Sequence, residues 1–110
     1  MIDIEAVCVM IGDLQAQEVE RWIGESWVRP ESSGGGYVFH EIDVARVRLI
    51  VELRRDLEID DAAMPVVLNL LDQLYALRRR MKAVTAAIET LPPDLRAAIA
   101  QRLGETQGPE

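Results

Sequence analysis

Residues 67–91 contain the strongest pattern in the chain, an unbroken apolar repeat with alternating steps of three and four residues. Such spacing places the apolar side chains along one edge of an α-helix and is typical of coiled coils. A helix of this length spans about 37 Å at 1.5 Å per residue, more than a small chain can cover along its whole edge. The pattern therefore predicts a homodimer formed through Val67, Leu70, Leu74, Leu77, Met81, Val84, Ile88 and Leu91.

Two short helices joined by a tight turn are predicted at the N-terminus. The first should end at Gly12, with Asp13 as a candidate N-cap for the second, and the second should end near residues 24–26. Such a pair is a candidate helix-turn-helix. The predicted buried faces are Ile4, Val7, Cys8 and Ile11 in the first helix, and Val19, Trp22 and Ile23 in the second.

Two short β-prone runs, residues 27–28 and 37–39, flank a segment rich in glycine and serine. We expect them to pair as a small hairpin, or wing, whose loop contains the intervening residues. A third helix should begin at His40 or Asp43 and end around residues 58–59. Its predicted apolar stripe consists of Val44, Val47, Ile50, Val51, Leu53 and Leu57.

The long helix should be capped by Asp60-Asp61 and ended by Pro92-Pro93. A last short amphipathic helix and a polar tail follow it. The predicted organisation is a winged helix-turn-helix unit over residues 1–59, a long dimerisation helix over 60–91, a short helix over 92–103 and a disordered tail over 104–110.

Charge is distributed unevenly along the chain, which has a net charge of −7. Residues 1–62 carry fourteen acids and six arginines, whereas residues 63–110 carry five acids and six bases. Because the summed charge sets the long-range field, the acidic half should repel phosphate backbones and attract basic proteins. The charge pattern therefore favours a protein partner over DNA.

A basic run, Arg78-Arg79-Arg80 followed by Lys82, lies within the predicted long helix. It is open to two interpretations, a nucleic-acid contact or an ordinary charged exterior of a coiled coil. Consecutive charges fan around a helix, which favours a solvated face or pairing with acids of the second helix.

Little in the sequence points to catalysis or metal binding. The chain has one cysteine, Cys8, and one histidine, His40, and it lacks a nucleotide-binding loop and a Ser/His/Asp set. Cys8 is interpreted as a core residue and His40 as a cap or surface residue. We therefore expect no enzymatic activity, metal, cofactor or small-molecule substrate.

The sequence also contains no continuous apolar run of about eighteen residues, the length needed to cross a membrane as a helix. Its first residues carry acids where a signal peptide would carry lysine or arginine. We therefore expect a cytoplasmic protein that does not contact a membrane.

The order of these elements, together with residues 36–47 (GYVFHEIDVARV), resembles the winged-helix unit of MerR-like regulators. In that family an aromatic wing strand runs into an acid, an arginine and alternating aliphatic residues, and the long helices pair as an antiparallel coiled coil. The resemblance covers about residues 3–91. It implies a mostly α fold: a MerR-like winged helix-turn-helix with a small β-hairpin wing and a long coiled-coil dimerisation helix.

The sequence departs from the DNA-binding and metal-sensing members of that family. DNA-binding members carry an arginine and aromatic cluster on the second helix, where this chain has Arg21 as the only base, and its wing adds only Arg29. Metal-sensing members carry cysteines around the dimerisation helix, and this sequence has none there. Since DNA affinity depends on neutralising several phosphates, we do not expect DNA to be the main partner.

Within this fold, the sequence resembles the bacterial chaperone modulators of the CbpM type. The similar segments are WIG at 22–24, VRP at 28–30, YVF at 37–39, LRRDL at 53–57 and VLNLLD at 67–72. The resemblance implies a homodimer that binds the J-domain of a DnaJ/CbpA-like co-chaperone and keeps it from its DnaK-type chaperone. The alternative is a MerR-like DNA-binding transcriptional regulator.

J-domains, as that family is known, present a basic helix, so exposed acids are the expected contacts. Two groups are candidates, one in the first helical pair and one at the two ends of the third helix. The sequence does not rank them. The first group is Asp13, Glu18, Glu20 and Glu25, and the second is Glu41, Asp43, Glu52 and Asp56.

Overall fold

A computed structural model describes residues 1–106 and shows a mostly helical chain with one small antiparallel sheet. The predicted fold class is confirmed in its helices, its two-stranded wing and its long helix, whereas dimerisation stays a prediction. The elements are α1 (Ile4–Ile11), α2 (Ala16–Gly24), β1 (Glu31–Ser33), β2 (Gly36–Val38), α3 (Glu41–Arg55), α4 (Met64–Glu89) and α5 (Pro93–Thr106). None of these helices is long and apolar enough to cross a membrane.

The chain divides into two units, Met1–Leu68, here called the winged unit, and Asn69–Glu110, here called the helical unit. Every buried apolar side chain within residues 1–104 lies in the winged unit. Its largest fully buried side chains are those of Trp22, Phe39, Ile50 and Met64. The first turn of α4 therefore completes the core of the winged unit.

The turn between α1 and α2 differs from its prediction in one residue. Gly12 ends α1 as expected, with a φ of 83° and its N–H donated to the carbonyl oxygen of Cys8. The prediction that Asp13 caps α2 is wrong, because Asp13 also adopts a left-handed φ of 51°, whereas an N-cap needs extended backbone. Gln15 is the N-cap, and its N–H donates to Glu18 Oε1 at 3.2 Å.

The wing is a hairpin around the two-residue turn Gly34-Gly35. Both glycines have positive φ, 55° and 84°, as a type I′ turn requires, and the register places Ser33 opposite Gly36. Phe39, just after β2, donates its N–H to the carbonyl oxygen of Ile2 at 2.8 Å. This bond attaches the wing to the segment that leads into α1.

The prediction that residues 27–28 form the first strand is wrong, since β1 is Glu31–Ser33. Trp27 and Val28 are both buried, whereas neighbouring residues of a strand point to opposite faces. The backbone of Trp27 is also engaged elsewhere. Its N–H donates to the carbonyl oxygen of Trp22 at 2.9 Å, and its carbonyl oxygen accepts from Arg46 Nε at 2.8 Å.

His40 is the N-cap of α3, and its backbone N–H donates to Asp43 Oδ2 at 2.9 Å. Five residues of the predicted apolar stripe are buried, Val44, Val47, Ile50, Val51 and Leu53. Leu57 is 64% exposed, and its place in the stripe was wrong because α3 ends at Arg55 and the chain has already left the helix.

Asp60 caps α4, since its Oδ1 accepts the N–H of Ala63 at 2.8 Å. The helix ends at Glu89, so Leu91 lies in the following turn, and the prediction that it belongs to the long helix is wrong. Its place in a dimer interface stays a prediction. The physical reason is Pro92, which disfavours helical backbone in the residue before it. The last helix, α5, continues through Thr106, three residues into the predicted tail, and residues 107–110 of that tail lie outside the described residues.

Gly35→Ala should lower the free energy of unfolding by about 1 kcal/mol, because the substitution introduces a Cβ at a φ of 84°. Gly24→Ala is the matched control. Gly24 is helical and has open space around it, so the alanine should leave stability unchanged or raise it slightly. Urea unfolding of both variants measures the difference, and equal stabilities would contradict the assigned turn.

Candidate protein-interaction surface

Asp61 forms the centre of a small ion cluster in the winged unit. Its Oδ2 accepts from Arg21 Nη1 at 2.7 Å, and its Oδ1 accepts from Arg54 Nη1. The Arg21 guanidinium carbon lies 5.7 Å from the centroid of the Trp27 ring, and that of Arg54 lies 5.9 Å from the centroid of the Trp22 ring. The cluster therefore connects α2, α3 and the segment that caps α4.

Hydrogen bonds from Arg21 and then Arg54 hold the pKa of Asp61 below its ordinary value of 3.8. The Asp61 side chain is still 51% exposed, so water screens both pairs. Exposed pairs of this kind contribute about 0.2–1 kcal/mol each. The cluster fixes side-chain positions more than it stabilises the fold.

Four of the six arginines in the winged unit bind groups within that unit. Besides Arg21 and Arg54, Arg46 donates to the carbonyl oxygen of Trp27, and Arg55 donates to that of Asp13. The other two, Arg29 and Arg48, are exposed and have no hydrogen bond or ion pair among the described residues. Few bases of this unit are thus available for an external phosphate.

The eight predicted contact acids fall into two classes. Glu18 and Asp43 are half-buried, and each accepts a backbone N–H at the start of its own helix. The other six are exposed. They are Asp13, Glu20 and Glu25 around α2, and Glu41, Glu52 and Asp56 around α3. Their contact with a partner stays a prediction.

The solvent-facing side of α2 carries Gln17, Glu20 and Arg21, and the exposed Glu25 follows directly after the helix. In a helix-turn-helix the second helix is the element that enters the major groove of DNA. Here its one base is held by Asp61 and lies over the Trp27 ring. The exposed face of this helix therefore presents free acids and no free base.

Val9 and Met10 on α1 were missed by the sequence reasoning. Their side chains are 82% and 53% exposed, and the exposed Glu5 lies one turn before Val9. The sequence did contain a signal for their exposure. Helix α1 has apolar residues on all sides, so one buried face cannot include all of them. An apolar pair beside acids is a surface that can bind the apolar stems and charged ends of a basic helix.

Cys8, on the same helix, is half-buried. Burial raises the pKa of its thiol, and the nearby carboxylates of Glu18 and Glu5 raise it further. A thiol with a raised pKa is a weak nucleophile at neutral pH. The described residues also contain no group of three or more histidine, cysteine or acidic side chains placed to hold a metal ion.

The predicted seam on α4 is largely open to solvent in the single chain. Leu70, Leu74, Leu77, Met81 and Val84 are 42–60% exposed. Val67 and Ile88, nearer the two ends of the helix, are half-buried. These side chains form a continuous apolar edge, and its burial against a second chain stays a prediction.

Comparison with known families identifies the fold independently of these contacts. The family model described as MerR HTH family regulatory protein matches residues 2–85, which include α1, α2, the wing, α3 and most of α4. No curated protein and no solved structure matches the chain significantly.

Asp61→Asn should lower the free energy of unfolding by about 1 kcal/mol at neutral pH, because it weakens two ion pairs. The folded-state pKa of Asp61 is lowered, so its contribution is present above the ordinary value of 3.8 and is lost as the pH falls through the folded pKa. The difference between the variant and the unmodified chain should therefore shrink on acidification. Urea unfolding at neutral pH and near pH 3 measures it.

Asp56→Asn provides the control for this prediction. Asp56 is an exposed acid whose side chain has no hydrogen bond or ion pair among the described residues. Its substitution should change stability by less than about 0.5 kcal/mol at either pH. A loss at Asp61 that is equal in size to the control, or that persists undiminished in acid, would contradict the assigned cluster.

Proposed function

The chain belongs to the MerR helix-turn-helix family of regulatory proteins, and within that family we propose that it is a chaperone modulator of the CbpM type. In this proposal a homodimer binds the J-domain of a DnaJ/CbpA-like co-chaperone and blocks its cooperation with a DnaK-type chaperone. The proposed activity is binding in the cytoplasm, without catalysis, cofactor or small-molecule substrate.

The observation that carries the proposal is the state of the arginines in the winged unit. Arg21, the only base on α2, is paired with Asp61, and three further arginines bind groups within the unit. DNA binding requires several free lysine or arginine side chains for phosphates. Four of the unit's six arginines bind groups within the unit, whereas most of its acids remain exposed to solvent.

The exposed acids support a basic protein partner. Six of the predicted contact acids are open to solvent on α2, α3 and their flanking turns. Opposite charges across an interface raise the association rate and fix orientation, and the apolar Val9 and Met10 supply area that can be desolvated. A basic amphipathic helix, such as the one J-domains present, has both complementary features.

The exposed seam of α4 supports the homodimer, and charge supports an antiparallel pairing. Each winged unit carries fourteen acids and six arginines, so a parallel pair would place two acidic units at the same end. Antiparallel pairing separates them by the length of the helical seam from Val67 to Ile88, about 32 Å at 1.5 Å per residue. That separation is several times the Debye length of about 8 Å at physiological salt.

A MerR-like DNA-binding transcriptional regulator is the alternative function. Family membership itself favours it, because the matched description is that of a helix-turn-helix regulator. Arg29 and Arg48 could contact phosphates in such a protein, since both are exposed and unpaired within the described residues.

Direct binding separates the two functions. The purified chain, mixed with the J-domain of a DnaJ-like co-chaperone, should co-elute with it at moderate salt, and a generic DNA duplex should not co-elute. If only the DNA bound, with an affinity that falls steeply as salt is added, the modulator function would be wrong.

Two matched triple variants show which of the two groups of acids contacts the J-domain. The first is Asp13→Asn with Glu20→Gln and Glu25→Gln, and the second is Glu41→Gln with Glu52→Gln and Asp56→Asn. Each variant removes three exposed acids, so the two change the net charge equally and each serves as the control for the other. We expect at least one to weaken J-domain binding by about tenfold and to reduce its salt dependence. Unchanged affinity and salt dependence in both variants would contradict the electrostatic account.

The dimer is tested by placing polar residues at the middle of the seam. Leu77→Gln with Met81→Gln should give monomers, because both side chains would be buried between the two helices. Tyr75→Gln with Ala83→Gln changes the same helix outside the seam and should leave the dimer intact. Analytical ultracentrifugation gives the masses, and a dimer that survives the first pair of changes would place the interface elsewhere.

A further inference from the structure

The last helix, α5, has an apolar face that lies at an open groove of about 300 Å³. The groove is lined by Leu91, Leu95, Ala98, Ile99, Arg102 and Leu103. Leu95 is 49% exposed, which leaves a large apolar side chain partly in water. A helix as short as α5 gains most of its stability from packing of its apolar face, so this face is expected to be covered in the assembled protein.

The winged unit has a complementary surface beside the start of α4. A shallow cleft there is lined by Arg54, Glu58, Ile59, Asp60, Asp61 and Ala62. Two large apolar side chains, Leu57 and Val66, are exposed just before and just after these residues, by 64% and 61%. We call residues 57–66 the α3–α4 corner. It combines exposed apolar area with an acidic border.

We propose that α5 of one subunit docks on the α3–α4 corner of the other subunit, and that this contact forms at both ends of the coiled coil. We call this pair of contacts the clasp. This inference rests on the antiparallel homodimer proposed above. The occupant of the α5 groove is thus a second copy of the chain.

The alignment of the two seams places α5 of one subunit near the α3–α4 corner of the other. The antiparallel alignment that pairs the most seam residues sets Leu77 opposite Met81 of the partner subunit. Continued to the end of α4, the same alignment sets Asn69 level with Glu89 of the partner subunit. The α5 helix begins four residues after Glu89, at Pro93. Leu95 is six residues beyond Glu89 and can lie at most about 21 Å from it, which leaves Val66 of the other subunit, three residues before Asn69, within its reach.

The charges of α5 and of the α3–α4 corner are also complementary. Arg96 and Arg102 are exposed on α5, and Arg102 is at the edge of the apolar groove. Glu58 and Asp60 are exposed at the border of the cleft in the corner. Apolar contact between the two surfaces would therefore bring bases of one subunit beside acids of the other, an arrangement that fixes orientation as well as partner.

Disulfide cross-linking of the full chain tests the clasp. In a Cys8→Ser background, which removes the only native cysteine, Val66→Cys and Leu95→Cys are introduced together. Mild oxidation should give covalent dimers on a non-reducing gel, and either cysteine alone should not. A second pair, Leu77→Cys with Met81→Cys, reports on the seam in the same background.

The two cysteine pairs distinguish failure of the clasp from failure of the dimer. Cross-linking at the seam without cross-linking between positions 66 and 95 would overturn the clasp and leave the proposed dimer in place. A link within one chain between positions 66 and 95 would also overturn it. Cross-linking by neither pair would contradict the antiparallel dimer itself.

A variant without cysteines provides an independent readout. Ile99→Ser should weaken the dimer by about tenfold, because it places a hydroxyl in the docked apolar face. Ala97→Ser lies on the opposite side of α5 and serves as its control. Equal dimer dissociation constants for these two variants, measured by ultracentrifugation, would overturn the clasp.

Discussion

One carboxylate, that of Asp61, connects three elements of the winged unit. It accepts hydrogen bonds from Arg21 on α2 and Arg54 on α3, and it lies in the segment that leads into α4. Each of these guanidinium groups also covers the face of a buried tryptophan, so their positions are fixed from two sides. Within the winged unit, the segment that leads into α4 is therefore connected to both α2 and α3.

Internal contacts of the arginines affect which charges the winged unit offers to a partner. Four of its six arginines bind Asp61 or the carbonyl oxygens of Trp27 and Asp13, while most of its acids point to solvent. The acids are therefore more available for external contacts than the bases. A helix-turn-helix with this distribution keeps the framework of a DNA-binding fold but, among the described residues, leaves only Arg29 and Arg48 of the winged unit unpaired for phosphates. That combination is the physical basis for preferring a basic protein partner.

The sequence predicted the helices well because their evidence is local, in apolar spacing, glycine stops and capping acids. The strands of the wing were harder to predict from the sequence. Glu31, Ser32 and Ser33 are poor strand formers, and they become a strand because the Gly34-Gly35 turn sets them opposite β2. The Asp61 cluster could not be predicted, since Arg21 and Asp61 are forty positions apart in the chain and meet only after folding. The exposure of Val9 and Met10 likewise depends on which side of α1 packs against its neighbours.

The charges along α4 impose a different constraint on the proposed dimer. In the antiparallel register of the seam, Arg78 and Arg80 flank the apolar edge and face their own copies across the two-fold axis. The acids of α4, Asp72 and Glu89, lie outside these flanking positions, so the expected pairing of the basic run with partner acids is not available in this register. Added salt screens this repulsion within the seam, whereas it weakens both the charge contacts proposed between α5 and the α3–α4 corner and the attraction between the acidic winged unit and a basic partner. The seam therefore responds to salt with the opposite sign from the contacts made by the acids, which means that the two kinds of contact can be distinguished in one salt titration.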